Sequence, residues 1–271
     1  MTPRGDGPVV AAFATSRAEG RATLVGYLPA GFPTVDGSIA AIRTLAQSGC
    51  DVIEIGLPYS DPVMDGPTIQ AAAQQALDRG VRTADVLRTV EAVAASGVAV
   101  LVMTYWNPVD RYGVAAFARD LAAAGGSGLI TPDLTVEESG AWLDAAARRN
   151  LDRVFLVAPS STGERIAQVT RACRGFVYAA SLMGITGTRD AVSGDAPGLV
   201  ARTREHTDLP VAVGLGVSNG AQAAQVAAFA DGVIVGSAFV RRLLEADGGA
   251  ATGAIADLTT ELREGVSRKT R

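Results

Sequence analysis

Along the chain, short apolar runs rich in β-branched residues alternate with longer stretches whose apolar positions fall three and four apart. The first pattern predicts strands buried on both faces, and the second predicts helices that bury one side. Eight strands are expected, at Thr23–Leu28, Val52–Leu57, Ala99–Thr104, Gly128–Thr131, Arg153–Val157, Gly175–Ala180, Pro210–Gly214 and Gly232–Val235. Helices are expected between and after them, at Val35–Ser48, Thr68–Leu77 with Thr83–Ala95, Val114–Ala124, Val136–Arg149, Gly163–Arg174, Gly198–His206, Asn219–Phe229 and Ser237–Ala246. Regular strand–helix alternation builds a parallel sheet, and eight such units fit a (β/α)8 barrel better than an open doubly wound sheet. Pro8–Glu19 reads as an extra N-terminal helix able to plug the barrel floor, and Thr252–Glu264 as a last outer helix. With no linker or shift in composition, residues 1–271 are expected to form one domain.

Composition narrows the chemistry. The 271 residues are 48% hydrophobic, enough for one large core, and the net charge is −4. The only basic block is the terminal Ser267–Arg271, which argues against a nucleic-acid partner. No apolar run approaches the roughly 18 residues of a membrane span. The N-terminus is a poor secretion signal, and Cys50 and Cys173 are isolated, so a reduced, cytoplasmic setting is expected. The single histidine, His206, lies in a polar stretch before strand seven, and the single lysine, Lys269, is near the end of the chain. A multi-histidine metal site is impossible within one chain, and Schiff-base chemistry is left with a poor candidate. Proton transfers therefore fall to carboxylates or tyrosines.

In a barrel, chemistry sits on the loops after the strands. In strand two, alternation puts Val52, Glu54 and Gly56 on one face and Ile53, Ile55 and Leu57 on the other. The apolar set meets the helices, so Glu54 points into the barrel mouth. There it is either a structural carboxylate with a partner or an acid–base catalyst whose pKa is raised by burial. Asp65, in the proline-rich loop that follows, is placed to reach back over the mouth; a turn aspartate before Gly66 is the plainer reading. Glycines at Gly214, Gly216 and Gly236, followed by Ser237 opening a helix, form paired turns after strands seven and eight suited to a phosphate. Tyr178 alternates inward, either lining the cavity or as ordinary barrel packing, and Leu182–Pro197 has the length and glycine content of a lid that would bring Thr186 to the mouth. Asn107-Pro108 and Pro132-Asp133 read as turns.

These segments resemble the tryptophan synthase alpha family over about Tyr27 to Ser237. The resemblance is carried by Tyr27–Pro33, Glu54–Pro62 with Asp65–Gln70, Met103–Pro108, Pro132–Leu134 and Gly184–Gly187. It implies cleavage of indole-3-glycerol phosphate to indole and glyceraldehyde 3-phosphate, without cofactor or metal. It also implies an alpha2-beta2 complex in which a β subunit, holding pyridoxal phosphate, joins the indole to serine. Residue by residue, Glu54 and Asp65 match the catalytic pair, and Tyr178 and Thr186 match a cavity tyrosine and the lid threonine. Gly187, Gly214, Gly216, Gly236 and Ser237 match the phosphate turns. Tyr27, Met103 and Ile130 match indole-cavity walls, and Pro58 and Asp61 match positions facing the β subunit. A stand-alone lyase releasing free indole and a non-catalytic activator of a partner enzyme remain as alternatives.

Overall fold

The expected alternation is realised as a ring of parallel strands wrapped by helices. The computed structural model describes residues 7–180, 196–214, 216–245 and 250–267. In chain order the strands are β1 (Thr23–Pro29), β2 (Val52–Gly56), β3 (Ala99–Met103), β4 (Gly128–Ile130), β5 (Asp152–Val154), β6 (Leu156–Val157), β7 (Val177–Ala180), β8 (Val211–Gly214) and β9 (Gly232–Val235). The helices are α1 (Pro8–Ala18), α2 (Val35–Ser48), α3 (Pro67–Asp78), α4 (Thr83–Ala94), α5 (Trp106–Tyr112), α6 (Val114–Ala123), α7 (Gly140–Arg148), α8 (Gly163–Ala172), α9 (Ala196–Arg204), α10 (Gly220–Ala227), α11 (Ser237–Glu245) and α12 (Ala250–Ser267). Hydrogen bonding runs β5-β4-β3-β2-β1-β9-β8-β7-β6. Both ends of that order belong to one short stretch of chain, so the (β/α)8 barrel closes through it.

That stretch departs from the expected single fifth strand. Arg153 and Arg174 exchange backbone hydrogen bonds of 3.1 and 2.9 Å in an isolated antiparallel bridge. The first half therefore pairs with β4 and the second with β7, with the break at Phe155. Residues 175–176 lie outside β7 as a result. Two helix expectations also change. Asn107-Pro108 is not a turn but part of the first turn of α5, where a proline is tolerated, and Trp106 donates its amide to the Asp133 carboxylate at 2.9 and 3.1 Å. The helix expected from Val136 begins only at Gly140. Ahead of it, the amides of Glu138 and Ser139 bond three residues back in tight turns.

Strand alternation divides the core into two shells. Outward residues such as Leu28, Ile53, Ile55, Val100 and Val102 pack against the helices. Inward residues Val25, Val52, Leu101, Ile130, Val154, Phe176, Ala212 and Ile234 fill the barrel, joined from below by Val9 and Phe13 of α1. Phe13 meets Phe176 with ring centroids 5.4 Å apart, so α1 is the floor plug its apolar positions suggest. Also at the floor, Arg21 makes a two-pronged bond to Asp51 at 2.7 and 2.8 Å. Asp51 further accepts the Leu24 amide and Arg263 of α12, each at 2.8 Å. This cluster fixes the start of β2, three residues before Glu54. Replacing Phe13 with alanine should therefore cost about 3–5 kcal/mol, the usual range for a buried phenylalanine. Denaturant unfolding measures it; a loss below about 1 kcal/mol would mean that α1 does not seal the barrel.

Candidate active site

The barrel mouth holds a cavity of about 200 Å³ walled by the C-terminal ends of the strands and the loop after β2. Glu54 lies within it because the β2 pleat turns that position inward, in register with Tyr27 on β1 and Leu101 on β3. Its side chain is fully buried, and among the described residues neither carboxyl oxygen has a hydrogen-bond partner. No cation or amide among the described residues holds the charged form, and burial pushes its pKa from the ordinary 4.5 up to about 8. Burial thus favours the protonated form of Glu54, the form that can give up a proton.

Asp65 lines the same cavity from the loop. Its carboxyl is half-buried, which raises its pKa, while the Tyr105 hydroxyl pulls it back down. Gln70, in the first turns of α3, bonds the Asp65 carbonyl at 2.7 Å. The two acids therefore sit in different settings: one fully buried and unpartnered among the described residues, the other half-buried beside a phenol. Such divergence lets one carboxyl act as an acid while the other stays ionised.

Tyr27 and Tyr178 complete the wall. Burial is the main cause that holds both phenols well above their usual pKa, and coupling to the neighbouring Glu54 and Asp65 carboxyls acts in the same direction. Each ring depends on a glycine. A Cβ on Gly56 would collide with the Tyr27 hydroxyl, and one on Gly214 with the Tyr178 hydroxyl.

The far side consists of Gly214, Gly216, Gly236 and Ser237. Gly216 has φ of +69°, a left-handed backbone that favours glycine. Ser237 opens α11, whose N-terminus faces the cavity. Backbone amides and a helix N-terminus offer an anion donors without any lysine.

Of the residues singled out from the sequence, Glu54, Asp65, Tyr27, Met103, Tyr178, Gly214, Gly216, Gly236 and Ser237 all line this one cavity. Ile130 lies in the inner apolar shell without lining it. Pro58 is buried within the chain and Asp61 is exposed. Thr186 and Gly187 lie outside the described residues. Sequence reasoning passed over Leu156 and Ile234, which also line the cavity, and over Tyr105, which holds the loop. For Leu156 and Ile234 the available signal was inward parity on their strands, which usually marks packing alone; Tyr105 follows β3 and carried no such signal. His206 is exposed at the floor end of β8, away from the cavity.

The comparisons give the family and the fold. The family model for the tryptophan synthase alpha chain matches residues 13–266. The tryptophan synthase alpha chain of Nocardia farcinica is 61% identical over 258 residues, 95% of each chain. That of Acidothermus cellulolyticus is 62% identical over 252 residues, 93% of this chain and 94% of the relative. A crystal structure of tryptophan synthase from M. tuberculosis, in an open form with BRD0059 bound, superposes with a TM-score of 0.90 at 55% identity, covering 97% of this chain and 99% of that one. The alpha subunit from Legionella pneumophila str. Paris gives a TM-score of 0.88 at 29% identity, covering 97% and 99%. A barrel with two carboxyls of unlike environment at its mouth, matched nearly end to end by these relatives, belongs to the tryptophan synthase alpha chain family, the lyases that cleave indole-3-glycerol phosphate.

Proposed function

We propose that Glu54 and Asp65 divide the work of this cleavage. The observation that carries the assignment is the fully buried, unpartnered carboxyl of Glu54 in the same cavity as half-buried Asp65. Neutral Glu54 gives its proton to carbon 3 of the indole ring, and the ring becomes an electron sink. Ionised Asp65 accepts a hydrogen bond from the ring N–H and stabilises the positive charge growing there. Glu54, now a carboxylate, takes the proton of the adjacent glycerol hydroxyl. The carbon–carbon bond then breaks and its electron pair returns to the ring. Indole and glyceraldehyde 3-phosphate result, and Glu54 ends protonated as it began.

The phosphate is assigned to the amides around Gly214, Gly216, Gly236 and Ser237; the family resemblance adds Gly187 and Thr186, which lie outside the described residues. Anchoring the tail there aligns the reacting carbon with Glu54, so binding energy remote from the chemistry serves orientation. Tyr27, Met103, Tyr178 and, from behind the wall, Ile130 shape the space for the indole ring. We assign a β subunit as partner in an alpha2-beta2 complex, at the face that carries Asp61 with exposed Val63 and Met64 and is shaped by buried Pro58. Two free, buried cysteines suit a cytoplasmic setting, and no helix among the described residues is long and apolar enough to cross a membrane. Indole release by the isolated chain, measured with and without β subunit, separates this reading from a stand-alone lyase.

Glu54→Gln should abolish cleavage by several orders of magnitude while leaving the barrel folded, in line with the size of acid–base effects. Near-parent indole release would remove Glu54 from the chemistry. The same variant has a stability signature. The folded carboxyl binds its proton up to about pH 8, whereas the unfolded one releases it near 4.5. Its stabilising contribution is therefore complete below pH 4.5 and is lost as pH rises toward 8. Unfolding measured across that window should show Glu54→Gln gaining on the parent as pH rises, and a flat difference would contradict the buried neutral acid. Asp65→Asn should cost at least about a hundredfold in single-turnover cleavage; a loss under about tenfold would reduce Asp65 to loop structure. Gly216→Asp should weaken binding of substrate and of a glycerol-phosphate inhibitor, and unchanged affinities would displace the phosphate site.

A further inference from the structure

The loop that carries Asp65 is otherwise loosely tied. Val63 is 77% and Met64 42% exposed, so the segment just before the acid buries little of its own apolar surface. One side chain reaches into it from another strand. Tyr105 follows β3, two residues beyond the cavity residue Met103, and is 5% exposed. Its hydroxyl accepts the Met64 amide at 3.0 Å, and the amides of Val63 and Asp65 approach the same oxygen. Its ring lies against Tyr59, with centroids 5.3 Å apart. Its backbone is held on both sides: Thr104 donates its amide to the Ile130 carbonyl at 3.1 Å, and Trp106 donates to Asp133. A phenol fixed in this way is a rigid post around which residues 63–65 fold.

We infer that Tyr105 is a positioning residue for the cleavage: its hydroxyl gathers the loop amides as an acceptor and turns its own proton toward the Asp65 carboxylate, so aiming that carboxylate at the ring nitrogen. The inference rests on the role proposed for Asp65 and adds what holds that group in place. The donor–acceptor logic is consistent, because an oxygen that takes amide protons on its lone pairs still has its O–H free to give. The direction of the Asp65 shift agrees, since Tyr105 is the group that draws its pKa down against burial. Burial and the Asp65 charge hold the phenol itself above its usual pKa, so it keeps the proton. Among the described residues, the other titratable groups at the cavity are Tyr27 on β1, Glu54 on β2 and Tyr178 on β7. None of them is hydrogen-bonded to Asp65; Tyr27 and Tyr178 are only coupled to it through charge.

Tyr105→Phe keeps the ring and its packing on Tyr59 and removes only the hydroxyl. In the full-length chain, single-turnover cleavage of indole-3-glycerol phosphate should fall by about ten- to a hundredfold in kcat with KM within about threefold, the pattern of an interaction lost in the transition state. The acid limb of the kcat/KM profile should move to higher pH, because Asp65 loses the donor that favours its ionised form. In an Asp65→Asn background the same change should cost nothing further. Site-specific 3-fluorotyrosine at position 105, a more acidic phenol of nearly the same size, should move the acid limb the other way. It serves as the deciding measurement if the phenylalanine variant folds poorly. An unmoved limb and parent-like kcat in Tyr105→Phe, with Asp65→Asn still crippled, overturn the inference and leave the Asp65 role standing. A fully active Asp65→Asn enzyme overturns both.

Discussion

A carboxyl group that is fully buried and, among the described residues, without a partner is the constraint around which this barrel is arranged. Burying a charged carboxylate in such a place is prohibitive, so Glu54 holds its proton instead. That condition is met only because several remote features agree. The β2 pleat turns the side chain inward, and inward apolar residues surround it. The Arg21–Asp51–Arg263 cluster at the floor fixes where the strand begins. An inserted cation or a one-residue shift in register would each return Glu54 to an ordinary acid.

The contrast between the two carboxyls follows from the elements that carry them. A strand residue inherits its surroundings from the sheet and cannot easily change them. A loop residue owes its surroundings to whatever ties the loop down, here Gln70 from α3 and Tyr105 from the end of β3. In the proposed cleavage the rigid element supplies the buried proton donor, and the adjustable one supplies the group that meets the ring nitrogen. The anion site follows the same economy, with amides whose positions are set by glycine-rich turns and by the start of α11.

Much of this was readable from residue order, and the exceptions have a common cause. Alternation in Val52–Gly56 was enough to place Glu54 inside, because a strand with helices on one side has only two faces. The spacing of Gly214, Gly216, Gly236 and Ser237 placed them at the cavity for a similar local reason. The break at Phe155 was invisible because it arises from the Arg153–Arg174 bridge, between residues twenty-one apart in the chain. The start of α5 was missed because the Asn-Pro turn signal was overridden by a carboxylate arriving from Asp133. Tyr105 stood in a segment that carried the family resemblance, yet nothing in its neighbours announced the contact with Met64. The lid expectations at Thr186 and Gly187 fall outside the described residues.

The fit of each phenol over a bare backbone position has an evolutionary implication. At 27 with 56, and at 178 with 214, the ring occupies the volume that a methyl group on the facing glycine would need. Enlarging either small partner alone evicts an aromatic wall, while trimming either aromatic alone opens a hole beside the acids. Divergence in the shape of this chamber must therefore proceed by compensated double exchanges, and the two couples should be inherited as linked units among descendants that accept differently substituted rings.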